Sequence, residues 1–162
     1  MKKIILAVLL LIMVVTFASA GEETADVRNN SFGVNVLGAF AGLILGSVDI
    51  IMEYQHAFSP VVSILVTPEV LFGSGFWGVG SGLGLNIYPM GKYLHGFYIS
   101  ILPCAGIVGA AGYIFTYFGG FLRLGYQWVF DSGFVLSLGG GGRWDNYFGI
   151  GPNLVLTLGY AW

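Results

Sequence analysis

The sequence predicts an all-β protein: one eight-stranded antiparallel up-and-down transmembrane β-barrel. Three observations carry this. The last nine residues set Leu154, Leu156, Leu158, Tyr160 and Trp162 against smaller or more polar neighbours such as Thr157, Gly159 and Ala161. That is period two, the pattern of a strand with two unlike faces. The 26 residues 97–122 carry no charge, a run a soluble protein would have to cover completely. The few charges in the rest of the chain also obey period two.

Only helices and closed barrels satisfy every backbone polar group inside lipid. A helical alternative exists, because residues 97–122 are long enough to span and residues 70–90 nearly so. Against it, Gly78, Gly80, Gly82 and Gly84 alternate in a segment dense in aromatic and β-branched residues, which suits a strand. The loops between such helices would also lack the Lys and Arg that set an orientation.

Residues 1–20 form a predicted secretory signal peptide. Lys2 and Lys3 start it, residues 4–17 are apolar apart from Thr16, and Ala18-Ser19-Ala20 is a small-residue cleavage site. A retained membrane anchor is the alternative. No cysteine follows the cleavage site, so a lipid-anchored form is not supported. The mature chain keeps Arg28, Lys92, Arg123 and Arg143 against eight acids, a formal charge of −4. That argues against nucleic acid as a partner and supplies no polybasic patch for anionic lipid. Cys104 stands alone, so no internal disulfide forms, and no zinc spacing exists. No cofactor is implied.

Residues 21–30, with Glu22, Glu23 and Asp26, are expected to be a flexible lead, and residues 31–162 the barrel. The first strand is placed at 31–40 and the connection after it at 41–46. The second strand, 47–58, puts Asp49, Glu53 and Gln55 on one face, which must point away from lipid. Ser59-Pro60 is a tight turn. The third strand, 61–72, sets Ser63, Thr67 and Glu69 opposite Val62, Ile64 and Val66. Pro68 removes a ladder donor and marks a candidate bulge. After a loop at 73–77, the fourth strand (78–88) faces Val79, Leu83, Leu85 and Ile87 outward, with glycines, Asn86 and Tyr88 inward.

Residues 89–96 make a turn holding Lys92 and His95. The fifth strand, 97–107, sets Phe97, Ile99 and Ile101 against Tyr98, Ser100 and Cys104, and residues 108–113 form a loop. The sixth strand, 114–130, faces Leu122, Leu124, Tyr126, Trp128 and Phe130 outward, with Arg123 and Gln127 inward. Asp131-Ser132-Gly133 is a hairpin turn. The seventh strand is 134–142, and Arg143 keeps its inward parity unless residues 139–142 bulge. A loop at 143–151 leads to the eighth strand. An even strand count with both termini on the periplasmic side then places the turns at Ser59, Pro89 and Asp131 in the periplasm and the other loops outside.

Aromatic residues gather at the strand ends, as interfacial girdles require. Phe58, Phe97, Trp128, Phe130, Phe134, Tyr160 and Trp162 fall at one level. Phe72, Trp77, Tyr113, Trp144, Tyr147 and Phe148 fall at the other. Plain β-propensity also enriches aromatics.

On these residues the mature chain resembles the small eight-stranded outer-membrane barrels. They include the membrane domain of outer membrane protein A and families of small outer-membrane proteins without an assigned function. The most specific piece is the carboxyl-terminal series Leu154, Leu156, Leu158, Tyr160, Trp162, which looks like the signal read by the barrel-assembly machinery. Most members end in Phe, and Trp162 departs from that. The resemblance implies the outer membrane as location. Its partners would be outer-membrane lipid and, during biogenesis, the assembly machinery and periplasmic chaperones. It carries over no catalytic residue.

Eight strands enclose an interior that side chains just fill, so an open pore is not expected. The predicted lumen cluster is Asp49, Glu53, Glu69, Arg123, Arg143 and Gln127. Counting along the strands puts Glu53 and Arg123 at mid-depth as a pair, and Asp49, Glu69 and Arg143 nearer the outer end as a second group. The cluster is either a packed polar plug or a proton or ion path, and the plug is the simpler expectation. A hydrolase would need a serine, a histidine and an acid together near the outer rim. The two histidines, His56 and His95, are both placed at the periplasmic end, so no enzyme activity is expected. A structural or envelope-related role is the first expectation. Binding or passage of a small lipophilic molecule through the lumen or wall is the second.

Overall fold

The computed structural model describes residues 28–38, 40, 46–90, 92–147 and 149–162. The predicted signal peptide at 1–20, most of the lead at 21–30, most of the connection at 41–46, and Phe148 lie outside the described residues. Eight strands follow one another: β1 (Asn30–Asn35), β2 (Ser47–Ala57), β3 (Val62–Gly73), β4 (Phe76–Ile87), β5 (Gly96–Ala110), β6 (Tyr113–Val129), β7 (Phe134–Asp145) and β8 (Gly149–Ala161). Each pairs antiparallel with the next, and β8 pairs with β1 to close an up-and-down barrel. The uncharged run 97–122 lies in β5 and β6, paired from Gly96↔Gln127 to Ala110↔Tyr113. This overturns the helical alternative. Among the described residues no helix is long and apolar enough to cross a membrane.

Polarity is inverted relative to a soluble barrel. Glu53, Thr67, Ser100, Arg123, Gln127 and Thr157 are buried inside, while Leu83, Ile101, Leu122, Leu124 and Leu154 are exposed outside. The period-two patterns are the cause, since alternate side chains of a strand point to opposite faces. A slip of one residue anywhere would exchange the two sets.

Several strand ends differ from expectation. β5 and β6 run past the predicted loop at 108–113 and meet in a two-residue turn, Ala111-Gly112. Both residues have positive φ, 49° and 83°, the backbone a tight hairpin of matching twist requires. Small residues at 109–112 signal a loop in sequence, yet Gly109 and Ala110 still pair in the ladder. The loop at 73–77 likewise shrinks to Ser74-Gly75. The predicted final loop at 143–151 is mostly strand, because β7 continues to Asp145 and β8 begins at Gly149. The β7–β8 register is unshifted from Phe134↔Tyr160 to Asp145↔Gly149, so residues 139–142 do not bulge.

Pro68 is no bulge either. It interrupts the β2–β3 ladder between Ile51↔Glu69 and Tyr54↔Val66, and the register resumes unshifted. A missing N–H removes a bond without inserting a residue.

The largest departure is β1, expected to reach residue 40 but ending at Asn35. Residues 36–38 and 40 are helical. The Asn35 side chain explains the stop: its Oδ1 accepts from the Leu37 amide at 3.1 Å, as a helix cap does, and from the Leu156 amide at 3.3 Å. Such a cap satisfies amides that a continuing ladder would otherwise use.

At the end of the barrel that carries both chain ends, the seam closes through backbone bonds between Asn30 and Trp162. Arg28 adds a clamp there. Its guanidinium donates to the Phe130 carbonyl at 3.2 Å, the Ala161 carbonyl at 3.3 Å and the Asp131 carbonyl. One side chain thus ties the chain before β1 to β8 and to the β6–β7 turn. Arg28→Ala is expected to lower the temperature at which the folded barrel opens, read as loss of the compact gel band on stepwise heating. Arg28→Lys, which cannot reach three carbonyls with a planar fork, should restore only part of the loss.

Candidate functional site

The candidate site is the lumen, filled in layers by side chains from all eight strands. At the end carrying both termini lies an apolar layer of Ala57, Tyr88, Leu94, Tyr98, Val129, Val135 and Ala161. Leu94 belongs to the connection between β4 and β5, which folds across the mouth and anchors there. Gln127 Nε2 donates to the Leu94 carbonyl at 2.7 Å, and the Val129 amide donates to His95 Nδ1 at 3.1 Å. A segment expected only as a turn is therefore a plug.

Above it sits a neutral polar layer. Gln55 Nε2 donates to Gln127 Oε1 at 3.0 Å, and Gln55 Oε1 accepts from Asn86 Nδ2 at 3.0 Å and from the Tyr88 hydroxyl at 2.9 Å. Ser137 Oγ donates to the Tyr98 hydroxyl at 3.1 Å. Buried polar groups of this kind are stable only when paired.

The next layer is an ion pair. Arg123 Nη1 lies 3.0 Å from Glu53 Oε1, with side-chain exposures of 2 % and 4 %. Glu53 Oε2 accepts from Thr157 Oγ1 at 2.7 Å, and the guanidinium lies 4.6 Å from the centre of the Phe121 ring. Charge, hydrogen bond and ring offset part of the cost of taking both charges from water, while Arg123 Nε and Nη2 are buried without a hydrogen-bond partner.

Towards the far end, Arg143 lies 3.7 Å from Glu69 and 3.0 Å from Asp145. Glu69 Oε2 accepts from the Tyr117 hydroxyl at 3.1 Å. Asp49 stands beside Glu69, in the fields of Arg143 and Arg123. Leu65, Leu102, Cys104, Tyr117 and Phe121 pack as an apolar cluster around this group. Two tyrosines fit because the facing wall is glycine: a Cβ on Gly80 would fall on the Tyr117 hydroxyl, and one on Gly125 or Gly139 would meet the Tyr98 hydroxyl at 2.6 or 2.7 Å.

Of the predicted lumen residues, Glu53 and Arg123 meet as a pair, Gln127 joins Gln55, and Glu69 and Arg143 meet at the far end. Among the described residues the ion pairs of Arg143 are with Glu69 and Asp145, whereas Asp49 faces Glu69. Sequence reasoning missed Asp145, placed in a loop, and did not single out Tyr117 or Thr157. The available signals were their parity with Phe121 and Val155, and the glycines opposite Tyr117. Leu154 and Tyr160 are exposed on the outer face of β8, Leu156 and Leu158 are half-buried between them, and Trp162, just past the end of β8, is exposed. His56 bonds Asn30 at 2.8 Å and His95 takes the Val129 amide, so both stand at the plugged end, away from the charged far layer. Among the described residues no group of His, Cys, Asp and Glu has the arrangement of a metal site.

The fold defines a small eight-stranded up-and-down barrel with a filled polar interior. The sequence matches no family model, and no curated protein or solved structure matches it.

Proposed function

We propose that the chain is an outer-membrane barrel with a structural role in the cell envelope, and that it is neither an open pore nor an enzyme. The observation that carries this is the combination of an exposed apolar outer face with a lumen lined by buried polar and charged side chains among the described residues. An outer surface displaying Ile101, Leu122, Leu124, Leu138 and Leu154 is stable in lipid and costly in water. The plug, the Gln55–Gln127 layer and the Glu53–Arg123 pair are buried side chains set across the lumen, which supports a closed reading. The placement of the two histidines at the plugged end supports the absence of hydrolase chemistry.

The membrane reading puts the termini in the periplasm, following the expected topology of such barrels. The barrel-assembly machinery is the proposed partner of β8 during insertion. Planar-bilayer recording of the purified mature protein tests the closed lumen. The expected result is no stepwise conductance at any holding voltage, and steady unitary steps would contradict it. A second reading, binding of a small lipophilic molecule at the barrel wall, is favoured by one specific feature: the short β1, beyond which no described residue is paired as a strand between β8 and β2.

A further inference from the structure

At the end of the barrel far from the termini, the β5–β6 hairpin outruns its neighbour. Residues 113–118 of β6 pair with residues 105–110 of β5, but β7 meets β6 only from Gly119 onward. About 20 Å of β6, at the usual rise per residue, is therefore a sheet edge. The two-residue turn Ala111-Gly112 makes Ala110 and Tyr113 the bonded pair that closes the hairpin. Alternation then points the backbone groups of residues 113, 115 and 117 at β5, and those of residues 114, 116 and 118 away from it. Phe118 shows this phase. Its amide donates to Asn146 Oδ1 at 2.9 Å, and its carbonyl accepts from the Asn146 amide at 3.1 Å. Among the described residues nothing takes the corresponding groups of Ile114 and Thr116. Both residues are exposed, Ile114 to 68 %.

Proteins blunt such an edge with charge, proline or a bulge. Residues 113–118 carry no charge and no proline, their register is unshifted, and Asn146 closes only the rung at Phe118. Free N–H and C=O groups are too costly for hydrocarbon, so this edge stands in water beyond the apolar band. Its flanks are aromatic. On one face Phe115 lies between Tyr113 and Tyr147, with ring centroids 6.3 and 5.6 Å away. On the other, Phe118 meets Trp144 at 5.9 Å, and Ile114 is exposed beside them.

We propose that the β6 edge at Ile114 and Thr116 is a docking site for an extended, uncharged segment of another polypeptide, which adds a strand to the barrel wall. The edge offers two donors and two acceptors from alternate residues, and an extended backbone returns both kinds at that spacing. Side chains of the added strand alternate between the Phe115–Tyr147 face and the Ile114–Phe118 face. Apolar residues suit both, and a charged residue finds no counter-charge on residues 113–118. Two copies in one membrane run β6 in the same direction, which excludes antiparallel pairing of like edges. The inference adds a partner surface to the proposed structural role and takes from the membrane reading only the side on which the hairpin stands.

The test uses the full mature protein, isotope-labelled and folded in dodecylphosphocholine micelles. The probe is a capped synthetic peptide of Thr-Val repeats, and its control is the same peptide N-methylated at every Val. Amide hydrogen exchange is followed by NMR. The probe should slow exchange at Ile114 and Thr116 and leave Phe115 and Tyr117, already bonded to β5, unchanged. The N-methylated peptide should not. Thr116→Pro removes an amide that faces the free edge, so the β5 ladder stays intact. It should weaken probe binding, read at Ile114, about fivefold or more, the loss expected for one backbone hydrogen bond. Should Thr116→Pro fail to fold, seen as loss of the heat-dependent gel shift, the two peptides on the wild-type chain still decide the matter. Equal effects of both peptides, or no change at Ile114 and Thr116, would overturn the proposal. So would protection of both amides without peptide in a particle holding two chains, because a second copy would then occupy the edge.

Discussion

Arg123→Ala is expected to destabilise the barrel by about 3–5 kcal/mol, because it strands Glu53 in a closed interior. Glu53 is 4 % exposed and would keep Thr157 as its donor among the described residues. The pair itself is a different matter. Two charges withdrawn from water gain little net energy from each other, so replacing both by apolar residues of similar size often costs nothing. Glu53→Met with Arg123→Met should therefore recover most of the stability lost in Arg123→Ala. Urea unfolding of the barrel in lipid, followed by tryptophan fluorescence, measures all three variants. Equal losses in the single and the double variant would contradict the stranded-charge account.

Leu94→Ala is the second large effect, expected to cost about 2–5 kcal/mol. Leu94 is 1 % exposed and packs with Tyr88, Tyr98 and Val135 at the plugged mouth. Its backbone carbonyl still accepts from Gln127 in the variant, so the loss comes from the cavity alone. A cavity there also loosens the connection between β4 and β5. Limited proteolysis at Lys92 should become faster in the variant than in the wild type, while unchanged cleavage would mean that the connection is held without Leu94.

Both effects depend on features of unequal legibility. The strand count and the inward parity of Glu53, Arg123 and Gln127 are readable because period two leaves a mark in every segment. Counting from the turns puts Glu53 and Arg123 at one depth, and the structure holds them 3.0 Å apart. Strand ends are less readable. Gly109, Ala110 and the glycines at 139–142 have loop composition but pair in the ladder, since neighbouring strands supply the bonds that composition does not specify. Asp145 escapes the sequence reading because β7 runs on to it beyond a glycine run of loop composition. The early stop of β1 is written in one side chain, Asn35, acting on an amide 121 residues away, a contact no local pattern contains. The role of Leu94 is equally tertiary, because a leucine in a short connection shows its function only once the mouth it covers exists.

The central claim is that this chain forms a closed barrel whose outer face lies in the outer membrane. Gel migration of the separated membrane fractions, boiled and unboiled, tests it most directly. The account requires the protein in the outer-membrane fraction, running at a compact position when unboiled and shifting only after heating. Protein in the inner-membrane fraction, migrating identically with and without boiling, would contradict it.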